Sequence, residues 1–211
     1  AKSKPTKTKK KQHETTATKM IVGGYDEYNQ LGEKTNNEDE YGQPVISPPL
    51  NLSLGSFSVL SYSIFYDHSV VVTRDGSLLG IGYNKFGRIS SSLAETETSQ
   101  FTKFSIKDGS GRKLTPISAV CSFSGTFYMF SKSSGKGKQL VYCDFEIYGG
   151  DPVFFDIGSN EPVSLFGGFY HFAAISDEGE VIFINRDEVK YLHNSRIEAV
   201  SLPDGEKASS V

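Results

Sequence analysis

The chain has 211 residues, enough for one or two domains, and its 22 basic and 25 acidic residues leave a formal net charge of −3. That balance excludes a chain that binds nucleic acid through an overall basic charge. No apolar run reaches the length of a membrane span, and the N-terminus lacks the apolar core of a signal peptide. We therefore expect no membrane partner and a cytoplasmic or nuclear location.

Residues 1–19 carry seven lysines against the single acid Glu14 and have almost no apolar content. Such a segment cannot offset the entropy cost of ordering, so we predict a disordered basic tail over residues 1–19. The lysine-rich run at 7–11 fits a nuclear address or an arm that binds phosphates, and nucleic acid is a minor alternative partner of this tail. A solvated tail without either role is the simpler interpretation.

Ordered structure is predicted from Met20 onward. Residues 20–32 form an apolar run that leads into a glycine-bounded turn, and they align with the end of a later unit so that Gly24 falls on Gly82 and Leu31 falls on Ile89. Residues 33–55 are rich in Asn, Glu and Pro. Because proline cannot donate to a sheet ladder, the prolines forbid a central strand and predict a linker; they are Pro44, Pro48 and Pro49.

The second unit is the clearest one. Apolar and β-branched runs predict strands at 57–65, 69–73 and 77–81, with a tight turn at Asp75-Gly76. A polar connector with one short strand at 101–106 fills residues 96–113.

Two further units follow along the chain. The third has predicted strands at 117–122, 126–131 and 139–147, and the fourth at 163–166, 172–176 and 180–184. In the fourth, His171 precedes Gly179 by eight residues, as His68 precedes Gly76, and the two glycines lie 103 residues apart. Residues 199–202 are predicted as a connector, and 207–211 as the opening strand of a fifth unit.

The chain lacks sustained helical periodicity, and its β-branched and aromatic runs are broken by Gly, Asp and Asn, which predicts an all-β fold. The 103-residue separation is roughly twice fifty. A repeat of about fifty residues indicates an array of β units, each too small to bury its own faces.

The repeated pattern resembles the signature of the regulator-of-chromosome-condensation repeats. The resemblance covers roughly residues 20–211 and implies four-stranded blades of a seven-bladed β-propeller, with about three full and two partial blades here. Two positions depart from the family pattern: Leu79-Gly80-Ile81 lacks its usual Trp, and Ile89-Ser90 lacks its Leu-Gly ending. The matching residues are His68, Ser69, Thr73, Asp75, Gly76, Gly82, Asn84 and Gly87, with Gln30, Leu31 and Gly32 in the first fragment.

An incomplete propeller leaves unpaired strands at both ends of its arc, which is an aggregation hazard. The resemblance therefore implies that the chain is a piece of a longer propeller, or that it closes by dimerisation.

Several residues invite a chemical interpretation that we reject. His68 and His171 occupy equivalent points of separate units, so their rings should not converge on one metal ion, and each is expected to hydrogen-bond within its own blade. Asp75 and Asp177 are expected to cap tight turns. Residues 133–138 lack the spacing of a phosphate-binding loop and are expected to form an exposed hairpin tip.

The remaining candidates have structural interpretations. Cys121 and Cys143 lie in apolar strands and are expected to be buried, reduced thiols. Two sets of aromatic residues are interpreted first as core residues and only second as a platform for a ligand. They are Phe123, Phe127 and Tyr128, and Phe166, Phe169, Tyr170 and Phe172.

These observations leave no catalytic, cofactor-binding or metal-ligating residue to assign. We therefore predict a non-catalytic protein-binding repeat scaffold that requires no cofactor. The alternative, implied by the resemblance, is guanine-nucleotide exchange on a small GTPase of the Ran type, which requires contacts and no covalent chemistry.

Overall fold

The computed structural model describes residues 19–24, 28, 30–31, 47–54, 57–94, 97–123, 125–132, 134, 136–144, 152–155, 157, 161–169, 171–185 and 199–200. Over these residues the secondary structure is β throughout, apart from a 3-10 turn at Lys85–Gly87. None of the described residues lies in a helix that is long and apolar enough to cross a membrane. The predicted tail lies outside the described residues except for Lys19, where the first strand begins, and the predicted fifth unit lies outside them too.

Three antiparallel sheets of four strands follow one another, which confirms the all-β prediction and its propeller-like blades. Each sheet pairs its strands in chain order, and we number the sheets after the units of the sequence. Blade 2 contains β3 (Val59–Phe65), β4 (His68–Thr73), β5 (Leu78–Tyr83) and β6 (Glu97–Phe104). Blade 3 contains β7 (Thr115–Cys121), β8 (Gly125–Ser131), β9 (Lys138–Asp144) and β10 (Val153–Phe155). Blade 4 contains β11 (Pro162–Gly167), β12 (His171–Ser176), β13 (Val181–Asn185) and β14 (Ala199–Val200).

The first sheet is half a blade. It consists of β1 (Lys19–Gly24) and β2 (Ser47–Ser53), whose pairing shifts register between Val22 and Gly24. The pairing of β5 with β6 shifts in the same way between Gly80 and Gly82. A register break just before Gly24 and one just before Gly82 support β1 and β2 as the third and fourth strands of a blade, in agreement with the alignment of these two glycines.

The linker prediction was wrong for residues 47–53, which form β2. The strand tolerates its prolines because Pro48 and Pro49 fall at the register break, between Ser47 and Leu50, which are the residues with partners on β1. Among the described residues β2 pairs with β1 alone, so it is an edge strand and not the central strand that proline forbids.

Two further strands differ from prediction. Residues 199–200, predicted as connector, form β14 beside β13, and β10 was not predicted at all. Both are the fourth strand of their sheet, and their two or three residues are too few to show an alternating pattern.

Neighbouring blades bury their facing side chains against one another. Val70, Val72 and Leu78 of blade 2 pack in one cluster with Tyr128 and Phe130 of blade 3. The opposite face of blade 3 packs in a second cluster with blade 4, through residues that include Phe127, Tyr142, Phe172 and Ala174. On the other side of blade 2, Leu31 and Leu54 cover Val71 and Leu79. The hydrophobic core therefore lies between blades.

The first strands of the three blades lie side by side, which makes them the inner strands of the arc. Ser63 Oγ on β3 accepts a hydrogen bond from the Cys121 backbone N–H on β7, at 2.9 Å. The strands β7 and β11 also approach closely at Gly167. A Cβ added to this glycine would meet the Val120 side chain and would lie 2.9 Å from the Cys121 carbonyl oxygen.

The far face of blade 4 is more exposed than the equivalent face of blade 2. The side chains of β4 that point toward blade 3 are fully buried, whereas His171 on β12 is exposed and Phe183 on β13 is 43% exposed. Within the described residues no further blade covers this face, and the arc is an incomplete propeller.

Substituting Gly167→Ala tests the close approach of β11 to β7. The added methyl group would push against backbone and a β-branched side chain, so we expect the free energy of unfolding to fall by about 1–3 kcal/mol in urea denaturation. Gly109→Ala is the matched control, since a Cβ there has no neighbour within 4 Å. A Gly167→Ala protein as stable as the Gly109→Ala protein would contradict the packing of the inner strands.

Candidate functional site

A repeated irregularity fixes which positions of the three blades are equivalent. The inner strands shift register against their neighbours between Val59 and Ser61, between Pro116 and Ser118, and between Pro162 and Ser164. The same bulge therefore recurs after 57 residues and again after 46. When the three blades are aligned on these bulges, the turn after each inner strand has an aromatic residue at the same position. These residues are Tyr66, Phe123 and Phe169.

These turn residues and their neighbours form two groups of aromatic rings, Tyr28 with Tyr66 and Tyr83, and Phe65 with Phe123 and Phe169. Phe123 and Phe169 stack with ring centroids 4.7 Å apart and planes inclined by 12°. The ring centroid of Tyr28 lies 5.1 Å from that of Tyr83 and 6.5 Å from that of Tyr66. Tyr66 is 53% exposed and Phe169 is 49% exposed. We call the set the aromatic rim: Tyr28, Phe65, Tyr66, Tyr83, Phe123 and Phe169.

A buried guanidinium group supports the rim from below. The Arg88 Cζ lies 5.3 Å from the ring centroid of Tyr83 and 5.7 Å from that of Phe123. Arg88 also forms an ion pair with Asp67, and both side chains are almost completely buried. The cation therefore attracts two rim rings while its charge is compensated by the carboxylate.

Asp67 also holds His68. The His68 Nδ1–H donates to Asp67 Oδ1 at 2.6 Å, and a hydrogen bond of 2.9 Å joins His68 Nε2 to Thr126 Oγ1 in blade 3. The prediction that His68 bonds within its own blade was therefore incomplete, because the imidazole also connects two blades. At the equivalent position His171 is exposed and lies against the Phe183 ring, with centroids 5.3 Å apart. No three His, Cys, Asp or Glu residues cluster as metal ligands in the part of the chain that the structure describes.

The loop that carries Arg88 is organised by Asn84. Its Oδ1 accepts hydrogen bonds from the N–H groups of Ile89 and Ser90 at 2.8 and 3.0 Å, and its amide donates to the Ser90 and Leu93 carbonyl oxygens. Gly82 has a φ of +97° and its backbone lies against Asp67, so a side chain there would be strained. The residues of the sequence motif thus position the loop beneath the rim.

The acidic turn residues have structural roles. Asp75 accepts hydrogen bonds from Thr73 Oγ1 and the Ser77 N–H, and the hydroxyl of Thr73 lowers the pKa of this carboxyl below its usual value. Its turn-capping role is confirmed. Asp177 instead accepts from the Glu161 N–H at 3.1 Å, which ties the turn to the start of the inner strand.

The predicted hairpin tip is confirmed, since Ser134 and Lys136 are exposed between β8 and β9. The two cysteines are free and buried, as predicted. They flank Tyr128, whose burial raises the pKa of its phenol well above the usual value.

The prediction of core aromatic residues was correct for part of each group. Phe127, Tyr128 and Phe172 are core residues. The core prediction was wrong for Phe166 and Phe169, which are more than two-fifths exposed. Phe123 is half-buried in the rim, and Tyr170 lies outside the described residues.

A concave surface, separate from the aromatic rim, lies between the inner strands. We call it the central groove; it has a volume of about 410 Å³ and is lined by β3, β7 and β11, with Met129 from β8. The bulges place one serine per blade in the groove, at Ser61, Ser118 and Ser164. Each serine follows an apolar residue that also lines the groove: Leu60, Ile117 and Val163.

No family model and no curated protein matches the sequence. Solved structures of RCC1-like β-propeller proteins share its fold. Human WBSCR16 superposes with a TM-score of 0.61 at 17% identity, over 90% of this chain and 50% of that chain. Yeast RCC1 (Prp20) bound to Kap60 gives 0.55 at 14% identity, over 85% and 42%.

Prp20p from Saccharomyces cerevisiae gives a TM-score of 0.54 at 16% identity, over 78% of this chain and 40% of that chain. The chain therefore spans about half or less of the length of these propellers. At these identities the likeness shows the propeller fold, and the repeat resemblance proposed from the sequence is confirmed at that level.

Thr126→Val tests the bond between blades 2 and 3. The isosteric change removes the hydroxyl group and leaves His68 Nε2 buried without its partner. We expect the free energy of unfolding to fall by about 1–3 kcal/mol in urea denaturation.

Thr102→Val is the matched control, because the Thr102 hydroxyl bonds only locally at an exposed site, to the Gln100 carbonyl oxygen. We expect this change to stay within about 0.5 kcal/mol of the parent protein. Equal effects of the two substitutions would show that the link from His68 to Thr126 does not stabilise the contact between blades.

Proposed function

We propose that the chain is a non-catalytic protein-binding scaffold and that the aromatic rim is its contact surface. The supporting observation is that Tyr66 and Phe169 are each about half exposed, while neighbouring aromatic rings pack against both of them. Large aromatic residues with an arginine are the usual centres of protein interfaces, because they bury much area with few rotatable bonds.

The rim is suited to binding because its supports are rigid. Arg88, Asp67 and His68 are buried beneath the aromatic rings, and Asn84 fixes the loop between Gly82 and Leu93. When a partner covers such a surface, the side chains of the scaffold lose little conformational entropy. More of the free energy gained by burying apolar surface therefore appears as affinity.

One arrangement resembles catalytic machinery, but its burial favours a structural role. A carboxylate that orients an imidazole is typical of a general base, and Asp67 and His68 have this geometry. The His68 side chain is fully buried, however, and its outer nitrogen is bonded to Thr126. A substrate could reach that nitrogen only if blades 2 and 3 separated.

The second candidate function is nucleotide exchange on a Ran-type GTPase. It is favoured by the fold shared with Saccharomyces cerevisiae Prp20p, whose structure was reported with its binding to Gsp1p, a Ran-type GTPase, and to histones. An exchange factor distorts the nucleotide site of its GTPase through surface contacts, so the aromatic rim could serve this function without a catalytic residue.

The scaffold proposal predicts that partner capture depends on the rim. The parent chain and the double variant Tyr66→Ala/Phe169→Ala are immobilised, and bound proteins are compared by quantitative mass spectrometry and then retested as purified pairs. We expect at least one direct partner to bind the variant about tenfold or more weakly, which corresponds to the loss of an aromatic anchor.

The control is Phe154→Ala/Phe183→Ala, which removes two exposed aromatic residues outside the rim. It should retain the same partners. Capture that is unchanged in the rim variant, or no direct partner for the parent chain, would refute the scaffold proposal.

The exchange proposal predicts catalysed release of nucleotide. A Ran-type GTPase loaded with fluorescent GDP is mixed with substoichiometric amounts of the chain, in excess unlabelled GDP, and the fluorescence decay is followed. Exchange activity requires that the rate of GDP release rises in proportion to the concentration of the chain and that this acceleration is lost in Tyr66→Ala/Phe169→Ala. A stable complex without accelerated release favours the scaffold and excludes exchange.

A further inference from the structure

The central groove is built by an irregularity that occurs at the same place in three strands. In each blade the bulge adds one residue that has no ladder partner: Leu60, Ile117 and Val163. A bulge weakens a sheet locally and redirects the side chains beside it, and bulges are frequent next to binding sites. Three at equivalent positions around one groove point to a shared use of that groove.

From this geometry we propose that the central groove binds an uncharged peptide segment in extended conformation, contributed by a partner protein. The site is independent of the aromatic rim, since it is formed by the inner strands and not by the turns that follow them.

The lining of the groove supports an uncharged occupant. None of its side chains is charged, and its polar groups are the hydroxyls of serines and a tyrosine, which both donate and accept hydrogen bonds. A charged side chain that packs against this lining would lose part of its hydration without an opposite charge to compensate it. Groups that alternate donor and acceptor, such as the amides of a peptide backbone, match the hydroxyls better.

One serine hydroxyl lacks a partner of its own. Ser118 Oγ is shielded from solvent and forms no hydrogen bond within the described residues. A buried polar atom without a partner costs free energy. Rotation of the Ser118 side chain toward the groove would let its hydroxyl bond to a peptide amide and remove that cost. Ser118 belongs to the middle blade, so this hydroxyl lies on the central one of the three inner strands.

Apolar side chains beside the serines provide the remaining contact area. Leu60 and Val163 are each more than two-fifths exposed, and so is Phe166 at the groove wall. The alternation of apolar residue and serine suits an extended chain, whose side chains alternate with its backbone groups.

The test uses peptide arrays and the full 211-residue chain. One array holds octapeptides composed of Ser, Ala, Val and Leu, and a second holds the same sequences with Asp or Lys at two central positions. We expect the chain to bind members of the first array and to bind their charged counterparts at least tenfold more weakly.

Two variants locate that binding in the groove. Ser118→Ala should weaken the bound peptides about fivefold, and Leu60→Asp/Val163→Asp should abolish their binding. Ser134→Ala, in the exposed tip between β8 and β9, is the matched control and should bind as the parent does. Circular dichroism and thermal melting check that each variant is folded.

Three outcomes would refute the groove proposal: no peptide is bound, charged and uncharged peptides bind equally, or Ser118→Ala and Ser134→Ala bind alike. Sedimentation that shows a second copy covering the groove would refute it as well. Tyr66→Ala/Phe169→Ala should keep peptide binding, so failure of the rim proposal and failure of the groove proposal are distinguishable.

Discussion

Burial of one blade against the next is the interaction on which this fold depends. A four-stranded sheet with apolar side chains on both faces would expose them if it stood alone, and all six residues of β4 are buried because Leu31 and Leu54 cover one face and blade 3 covers the other. Each buried Val, Leu or Phe contributes about 1.5–3 kcal/mol. The polar contacts between blades, such as that of His68 with Thr126, then fix the angle at which the sheets meet.

Repetition under this constraint explains where the binding surfaces lie. Because the blades share one register, a residue type that recurs in the repeat becomes a row across neighbouring blades. Aromatic residues in the turns form the rim, and serines at the bulges form the polar part of the central groove. Side chains in such rows are spread over separate sheets, an arrangement that favours contact with a large partner over convergence on one reacting atom.

Much of this could be predicted from local pattern. The repeated strand-and-turn pattern identified the β units and singled out Gly82 and Asn84 as repeat positions, whereas their contacts are seen only in the structure. The partner of His68 could not be predicted, because Thr126 lies 58 residues away in a unit with an altered turn. The exposure of Phe166 and Phe169 depends on which face of the sheet a neighbouring blade covers. The groove serines did leave a signal, since Leu60-Ser61, Ile117-Ser118 and Val163-Ser164 repeat one dipeptide pattern, but unequal spacings of 57 and 46 residues obscure it.

The two equivalent histidines show that position in the array decides a residue's role. His68 is buried because blade 3 supplies a hydroxyl and an apolar wall, whereas His171 is exposed and lies against the Phe183 ring of its own blade. An imidazole at this point of the repeat is therefore not intrinsically structural. It becomes so only when the next sheet places a hydrogen-bonding group against it, and the same reasoning applies to the apolar residues around it. The far face of blade 4 is thus a surface whose character depends on what packs there, whereas the groove lies within blades 2 to 4 and the rim consists of residues of those blades together with Tyr28.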